Sequence, residues 1–155
     1  MCPAIITERS GAGQQEARLV VGGAGGSKIT TAVALTTVYN VMMSRPLNES
    51  VDTARLHHQL VPMAVSHQAE VSEDILEELK SRGHVTVNTG EAGSVVGAVA
   101  RTDDGGLVAK SDYRKSGGVA GVDNISRATG LENNLMVVIL STAATRMIGQ
   151  KYSIT

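Results

Sequence analysis

Apolar residues along this chain recur in two rhythms, one of period two and one of period near four, and together they predict a mixed α and β architecture. Ala4 to Thr7 reads as a strand. A Gly-rich turn follows (Ser10-Gly11-Ala12-Gly13), and Arg18 to Val21 returns as the second strand of a hairpin. That strand feeds Gly22-Gly23-Ala24-Gly25-Gly26, where four of five residues are glycine. From Lys28 to Met43 the period lengthens: Ile29, Ala32, Val33, Thr36, Val38, Tyr39, Met42 and Met43 mark the broad face of a helix ended by Arg45-Pro46. Ser27 stands at its expected N-cap. Asn48 is expected to cap a short helix, Glu49 to Ala54, and Arg55 to Leu60 to run extended. Ser72 opens the clearest helix, with Glu73 and Asp74 in its first turn, Ile75, Leu76 and Leu79 on its apolar side, and Gly83 at C′. His84 to Asn88 reads as a strand. Ser94–Arg101 and Leu107–Ser111 read as a hairpin turning at Thr102-Asp103-Asp104-Gly105-Gly106. Val95, Val96, Ala98, Val99 and Ala100 do not alternate with polar residues, so this strand is expected to be covered on both faces.

Composition narrows the picture. The 155 residues, 42% apolar and 19% charged, make one globular domain, but Phe and Trp are absent and Tyr occurs three times. The core must therefore come from Val, Leu, Ile, Ala and Met, which pack thin layers. A net charge of −1 supplies no field for nucleic acid or an anionic membrane, so protein partners are expected. Cys2 is the only cysteine, so no disulfide forms within the chain. Neither a signal peptide nor a membrane span is read, and no direct membrane insertion is expected. His57 and His58 point to opposite faces of an extended run, and His57, His67 and His84 lack a ligand-spacing signature. No metal and no cofactor are assigned. The acidic run Glu73, Asp74, Glu77 and Glu78 reads as dipole complementation and solubility. Two N-x-Ser sequons, at Asn48 and Asn124, would matter only in a secretory lumen.

The candidate chemistry lies in the glycine loop. A strand that ends in glycines at the start of a helix gathers bare N–H groups at a positive dipole end, which suits a phosphate, a carboxylate or a developing oxyanion. Neither familiar phosphate motif is present. Ser27 separates Gly26 from Lys28, which breaks the P-loop, and Lys28 holds the place where the dinucleotide fingerprint needs its third glycine. By spacing alone the loop also suits a tight turn that uses glycine for positive φ.

Four blocks in order add a family. Met1-Cys2-Pro3-Ala4-Ile5, Leu19 through Ala32, Arg55-Leu56-His57-His58-Gln59-Leu60-Val61-Pro62 and Ser111-Asp112-Tyr113-Arg114-Lys115-Ser116-Gly117-Gly118 resemble the small subunit of γ-glutamyltransferase, the glutathione hydrolase. The resemblance implies an α+β fold. The chain would be part of an N-terminal-nucleophile hydrolase αββα sandwich, layered antiparallel sheets flanked by helices, lacking the N-terminal strands of the small subunit. It implies an enzyme that hydrolyses glutathione and transfers its γ-glutamyl group to amino acids, peptides or water. It further implies partnership with the large subunit of the same precursor, and an extracellular plasma-membrane location anchored through that subunit. Gly25 and Gly26 match the double glycine whose backbone N–H groups form the oxyanion hole. The nucleophilic Thr, a Ser-Ser pair and the acidic residues that hold the γ-glutamyl group belong upstream of the Met-Cys-Pro block in that family. No nucleophile is assigned within residues 1–155, and the chain alone is expected to be inactive.

The resemblance divides the chain into 1–126, the C-terminal part of the small-subunit domain, and 127–155, a divergent tail expected to be loosely attached. Two other functions stay open: a non-catalytic light-chain-like protein, favoured by the missing Thr, and an unrelated α/β phosphate-binding module, favoured only by the glycine loop. A minor enzymatic variant, with Cys2 as an N-terminal thiol nucleophile after Met1 removal, is opposed by Pro3, whose fixed φ and missing N–H restrict the terminus.

Overall fold

The computed structural model describes residues 3–9, 11, 13–91, 93–122 and 136–141. Its spine is a ten-residue strand, β2 (Gln15–Ala24), paired antiparallel with β1 (Ala4–Arg9) on one side. On its other side lies β6 (Val95–Arg101), followed by β7 (Leu107–Ser111), giving the order β1-β2-β6-β7. The strand outruns its expected end at Val21, because Gly22, Gly23 and Ala24 keep the ladder opposite Gly97, Val96 and Val95.

One face of this sheet forms the core. Leu19, Val21, Val96, Ala98 and Ala100 are buried there with Ala32 of α1 (Lys28–Thr37) and Leu47 and Val51 of α2 (Leu47–Asp52). Small residues let the helices sit close. A Cβ on Gly23 would lie 3.0 Å from the Val95 carbonyl and 3.4 Å from a methyl of Ile29, so α1 packs directly on backbone. This is how a core without Phe or Trp closes.

The opposite face is less covered than the sequence pattern suggests. Along β6 burial alternates, with Val96, Ala98 and Ala100 inside and Val95, Gly97 and Val99 half-buried. Ile5 and Val20 on this second face stay 66% and 38% exposed. An apolar run records that both faces tolerate apolar residues; it does not record what covers them.

α1 continues through a single π-helical turn, Val38–Met42, in which the Met43 N–H donates to the Val38 carbonyl at 3.0 Å. The helix thus ends near where the pattern puts it, at Ser44 with φ +52°. The next helix departs from expectation. α2 begins at Leu47 with Pro46 at the cap position, and Asn48 lies inside it without capping anything. Proline pre-sets the entry while buried Leu47 anchors the first turn, so the cap chemistry of Asn48 is not used.

A smaller sheet holds β3 (Leu56–His57), β4 (Val65–Gln68) and β5 (Thr86–Gly90), with β4 and β5 parallel across the connecting helix α3 (Glu73–Ser81). The extended run read from Arg55 to Leu60 is thus a two-residue strand, and Leu60 turns to φ +72°. α3 carries the expected first-turn Glu73 and Asp74, and bonds from Gly83 N–H to Lys80 O and from His84 N–H to Leu79 O close its end. Leu76 is buried and Ile75 is 46% exposed, so the apolar stripe is narrower than the sequence implies.

The final pair is β8 (Gly117–Val122) with β9 (Met136–Ser141), antiparallel from Gly117 opposite Ser141 to Val122 opposite Met136. Within the region 127–155, expected to be a loosely attached tail, Met136–Ser141 is therefore a paired strand. Cys2, Asn124 and the remaining residues of that region lie outside the described residues.

Candidate functional site

The glycine turn leaves β2 at Ala24 and enters α1 at Lys28. Gly25 (φ +132°) and Gly26 (φ +64°) both adopt conformations that a Cβ opposes, which allows the chain to reverse in two residues. Ser27 occupies the N-cap but its side chain makes no capping bond. It has helical dihedrals, φ −61° and ψ −25°, whereas a capping side chain works from an extended residue. The turn is closed instead by the Ile29 N–H donating to the Gly26 carbonyl at 3.2 Å. Among the described residues, the N–H groups of Gly25 and Gly26 donate in none of the hydrogen bonds that close turns and loops.

The two glycines differ in what surrounds them. A Cβ on Gly25 would fall 2.4 Å from the Gly93 carbonyl, 2.5 Å from Ser94 Cα and 2.8 Å from Ser94 Cβ, so Gly25 rests on the backbone of Gly93–Ser94. A Cβ on Gly26 would meet nothing within 4 Å. The Lys28 side chain lies across Gly93, its Nζ 3.0 Å from where a Cβ would stand there.

Beneath Ser94 is a buried polar cluster. Arg55 is 6% exposed and Asp112 3% exposed, and the Arg55 Nη2 donates to Asp112 Oδ2. Arg55 Nη1 donates to the Ser94 carbonyl at 2.6 Å and lies 3.3 Å from Ser94 Oγ, while Nη2 also reaches the Val51 carbonyl at 3.1 Å. Asp112 accepts two further backbone bonds, from Val96 N–H at 2.9 Å and Arg114 N–H at 3.1 Å, and Arg114 Nη1 at 3.0 Å. Arg114 extends the cluster to Gln68 Oε1 at 2.8 Å and to the carbonyls of Val51, Asp52 and Thr53. Gln68 Oε1 also accepts the Arg55 backbone N–H at 2.9 Å. Burial by itself raises the carboxyl pKa of Asp112. Arg55 and the N–H groups of Arg114 and Val96 outweigh it and hold the group below the usual carboxylate value. Burial lowers the Arg55 pKa, with Asp112 opposing, and the guanidinium stays charged.

A cleft of about 520 Å³ opens beside the turn, lined by Ala24, Gly25, Gly93 and Ser94 on one side and by Gln68, Glu70, Glu91, Tyr113, Arg114 and Lys115 on the other. Both signs of charge line it, which suits a zwitterionic amino acid or peptide. The Arg114 guanidinium stacks 4.6 Å over the exposed Tyr113 ring. Gly25 lies in the wall of this cleft, with Gly26 the next residue along.

The histidines serve other contacts. His57 Nδ1 is 2.9 Å from Thr31 Oγ1, which ties β3 to α1. His67 Nδ1 lies 2.8 Å from the Gln68 carbonyl, and the rings of His58 and His84 meet edge-on at 6.1 Å. Among the described residues no group of three His, Cys, Asp or Glu side chains could hold a metal. No described helix is long and apolar enough to cross a membrane.

Arg55, Ser94, Asp112 and Gln68 are the site residues that sequence reasoning does not single out. Arg55 and Asp112 stand 57 positions apart, so no spacing signature joins them. Their sole signal is that each sits in one of the family-like blocks.

The family model described as Gamma-glutamyltranspeptidase matches residues 1–122. The chain is 37% identical over 120 residues to Scoloptoxin SSD20 of Scolopendra dehaani, covering 77% of this chain and 59% of that protein. It is 38% identical over 102 residues to Glutathione hydrolase proenzyme 1 of Schizosaccharomyces pombe, covering 64% of this chain and 16% of the proenzyme. Among solved structures, the gamma-glutamyltranspeptidase from Pseudomonas nitroreducens complexed with L-DON matches with a TM-score of 0.62 at 28% identity, over 76% of this chain and 59% of that one. The chain thus spans less than two thirds of the length of each of these relatives.

Proposed function

Since this chain belongs to the gamma-glutamyltranspeptidase family, with the α+β layers of the N-terminal-nucleophile hydrolase fold, we propose that it supplies the oxyanion hole of a γ-glutamyl-transferring enzyme. The N–H groups of Gly25 and Gly26 are the donors. A nucleophile from outside residues 1–155 adds to the γ-carbonyl carbon of glutathione or a related amide, and the carbonyl π electrons pass to oxygen. The two N–H groups hold that oxygen while the tetrahedral intermediate stands. Collapse re-forms the carbonyl and breaks the amide C–N bond, and the departing amine takes the proton the nucleophile gave up. Water or an acceptor amine then adds to the acyl carbon, breaking its bond to the nucleophile, which recovers a proton from the attacking group.

The observation that carries this reading is the turn itself. Two consecutive glycines with positive φ lie at the head of α1 beside a cleft, and their N–H groups are unused by the turn. A preorganised pair of backbone donors at a helix N-terminus is the arrangement that stabilises a developing oxyanion. The chain corresponds, in this reading, to the C-terminal part of the small subunit. It pairs with the large subunit of its own precursor at the extracellular face of the plasma membrane, with anchoring supplied outside these residues. The ordered family-like blocks support this placement.

Two measurements test it. The isolated chain, assayed with a γ-glutamyl anilide and an acceptor dipeptide, is expected to show no turnover. In the complete enzyme carrying this segment, Gly26→Ala keeps the N–H but puts a Cβ on a residue at φ +64°, so the backbone shifts the donor off the oxyanion. The kcat is expected to fall by up to about 10²–10³, the cost of one oxyanion donor. Gly25→Ala is a poor probe, since its Cβ collides with Gly93–Ser94 before it meets any substrate. Normal kcat in folded Gly26→Ala would sink the oxyanion assignment, and turnover by the isolated chain would sink the need for an external nucleophile.

A further inference from the structure

We propose that Arg55 is a positioning residue for the glycine turn, acting through Ser94: its guanidinium holds the Gly93–Ser94 backbone as the seat on which Gly25 rests. The inference depends on the oxyanion reading above and adds the part that sets the donors' position.

The contact between turn and seat has no slack. The site of a Gly25 Cβ is 2.4 to 2.8 Å from atoms of Gly93 and Ser94, too little for a side chain, so Ser94 cannot move toward the turn without displacing Gly25. Ser94 is in turn held from below, because Arg55 Nη1 donates to its carbonyl at 2.6 Å and lies 3.3 Å from its Oγ. Both residues are buried, Ser94 5% and Arg55 6% exposed, so these bonds are largely shielded from bulk solvent.

The guanidinium cannot drift, because its other arm is also fixed. Nη2 donates to Asp112 and to the Val51 carbonyl, which joins the end of α2 to the turn after β7. Asp112 closes the loop by accepting from the Val96 N–H at 2.9 Å and donating its own N–H to the Val96 carbonyl at 3.0 Å. Residues 94 and 96 are therefore clamped from one charged pair, immediately under the turn. Arg55 does not line the cleft, so its influence on a reacting oxygen must pass through Ser94 and Gly25.

Arginine is required for this, not charge alone. A planar fork with five donors can hold Ser94, Val51 and Asp112 together, whereas a lysine ammonium at the same place would satisfy Asp112 and release the Ser94 carbonyl. A displacement of about 1 Å at a reacting centre costs about 10² in rate.

The test uses the complete enzyme with Arg55→Lys, and Asp112→Asn as a second variant that keeps the shape of the clamp. Active sites are counted with a covalent γ-glutamyl analogue, so that kcat refers to folded enzyme only. Arg55→Lys is expected to lower kcat by about 10- to 100-fold with KM within about twofold. It is expected to weaken binding of a tetrahedral γ-phosphono analogue far more than binding of glutamate, and Asp112→Asn to do the same to a smaller degree. A lowered melting temperature with unchanged kcat per active site and an unchanged ratio of the two affinities would overturn the proposal. Gly26→Ala, measured in parallel, separates the two ideas. If it loses kcat while Arg55→Lys does not, the oxyanion reading stands and the positioning role falls; if neither loses kcat, both fall.

Discussion

Replacing Asp112 by Ala is expected to remove a large part of the protein's stability. The carboxylate accepts from Arg55 Nη2, Val96 N–H, Arg114 N–H and Arg114 Nη1, and it is 3% exposed. Truncation leaves a buried guanidinium without its counter-charge and a buried strand N–H without an acceptor. Breaking a buried ion pair from one side costs about 3–5 kcal/mol, and an orphaned buried donor adds about 1–3 kcal/mol. Against a domain stability of about 5–15 kcal/mol, the variant should be close to unfolding at room temperature. Urea titration followed by circular dichroism measures this directly, with Asp112→Asn and the pair Arg55→Met/Asp112→Leu as companions. The double variant should cost much less than the sum of its single changes, because it removes both charges together.

The same carboxylate sets a pH dependence. Its folded pKa lies below the unfolded value of about 3.9, so its stabilisation is fully present above that pH and is lost as pH falls through the folded value. The gap between wild type and Asp112→Asn should therefore be widest from about pH 5 upward and shrink below about pH 4. An Asp112→Ala cost near that of one ordinary hydrogen bond, about 1 kcal/mol, or a gap that does not narrow in acid, would refute the reasoning.

Two further outcomes follow from the packing. Leu76→Ala should cost about 2–5 kcal/mol while Ile75→Gln stays within about 0.5 kcal/mol, since one residue is 6% and the other 46% exposed on the same helix; thermal melts of the two variants decide it. Pairing of β8 with β9 predicts that amides of Met136–Ser141 exchange more slowly than amides of an unstructured peptide, and exchange at the intrinsic rate throughout that run would show the pairing to be wrong.

Local chemistry specifies several elements of this fold on its own. The Asp104-Gly105 turn and the charged first turn of α3 each depend on residues adjacent in sequence, and each forms where expected, whereas the exit from β2 is glycine-rich as expected but comes after Ala24 rather than Val21. The caps were less legible. Ser27, Asn48 and Ser72 are all suitable residues beside helix starts, yet none makes a capping bond, because capping needs a particular ψ and a side-chain direction that tertiary packing sets.

By itself, then, the sequence determined the alternation of strands and helices, the thin small-residue core and the family-like order of its four blocks. Only the tertiary structure decided which glycine is free and which is wedged: Gly25 and Gly26 are neighbours of the same type, but 68 residues separate Gly25 from the Gly93 it rests on. It also decided that Arg55 and Asp112 form one buried pair beneath that contact. Such pairings depend on the register of β2 against β6 and on the helices stacked upon them, and a long-range register is the sum of many weak choices that no local stretch of residues records.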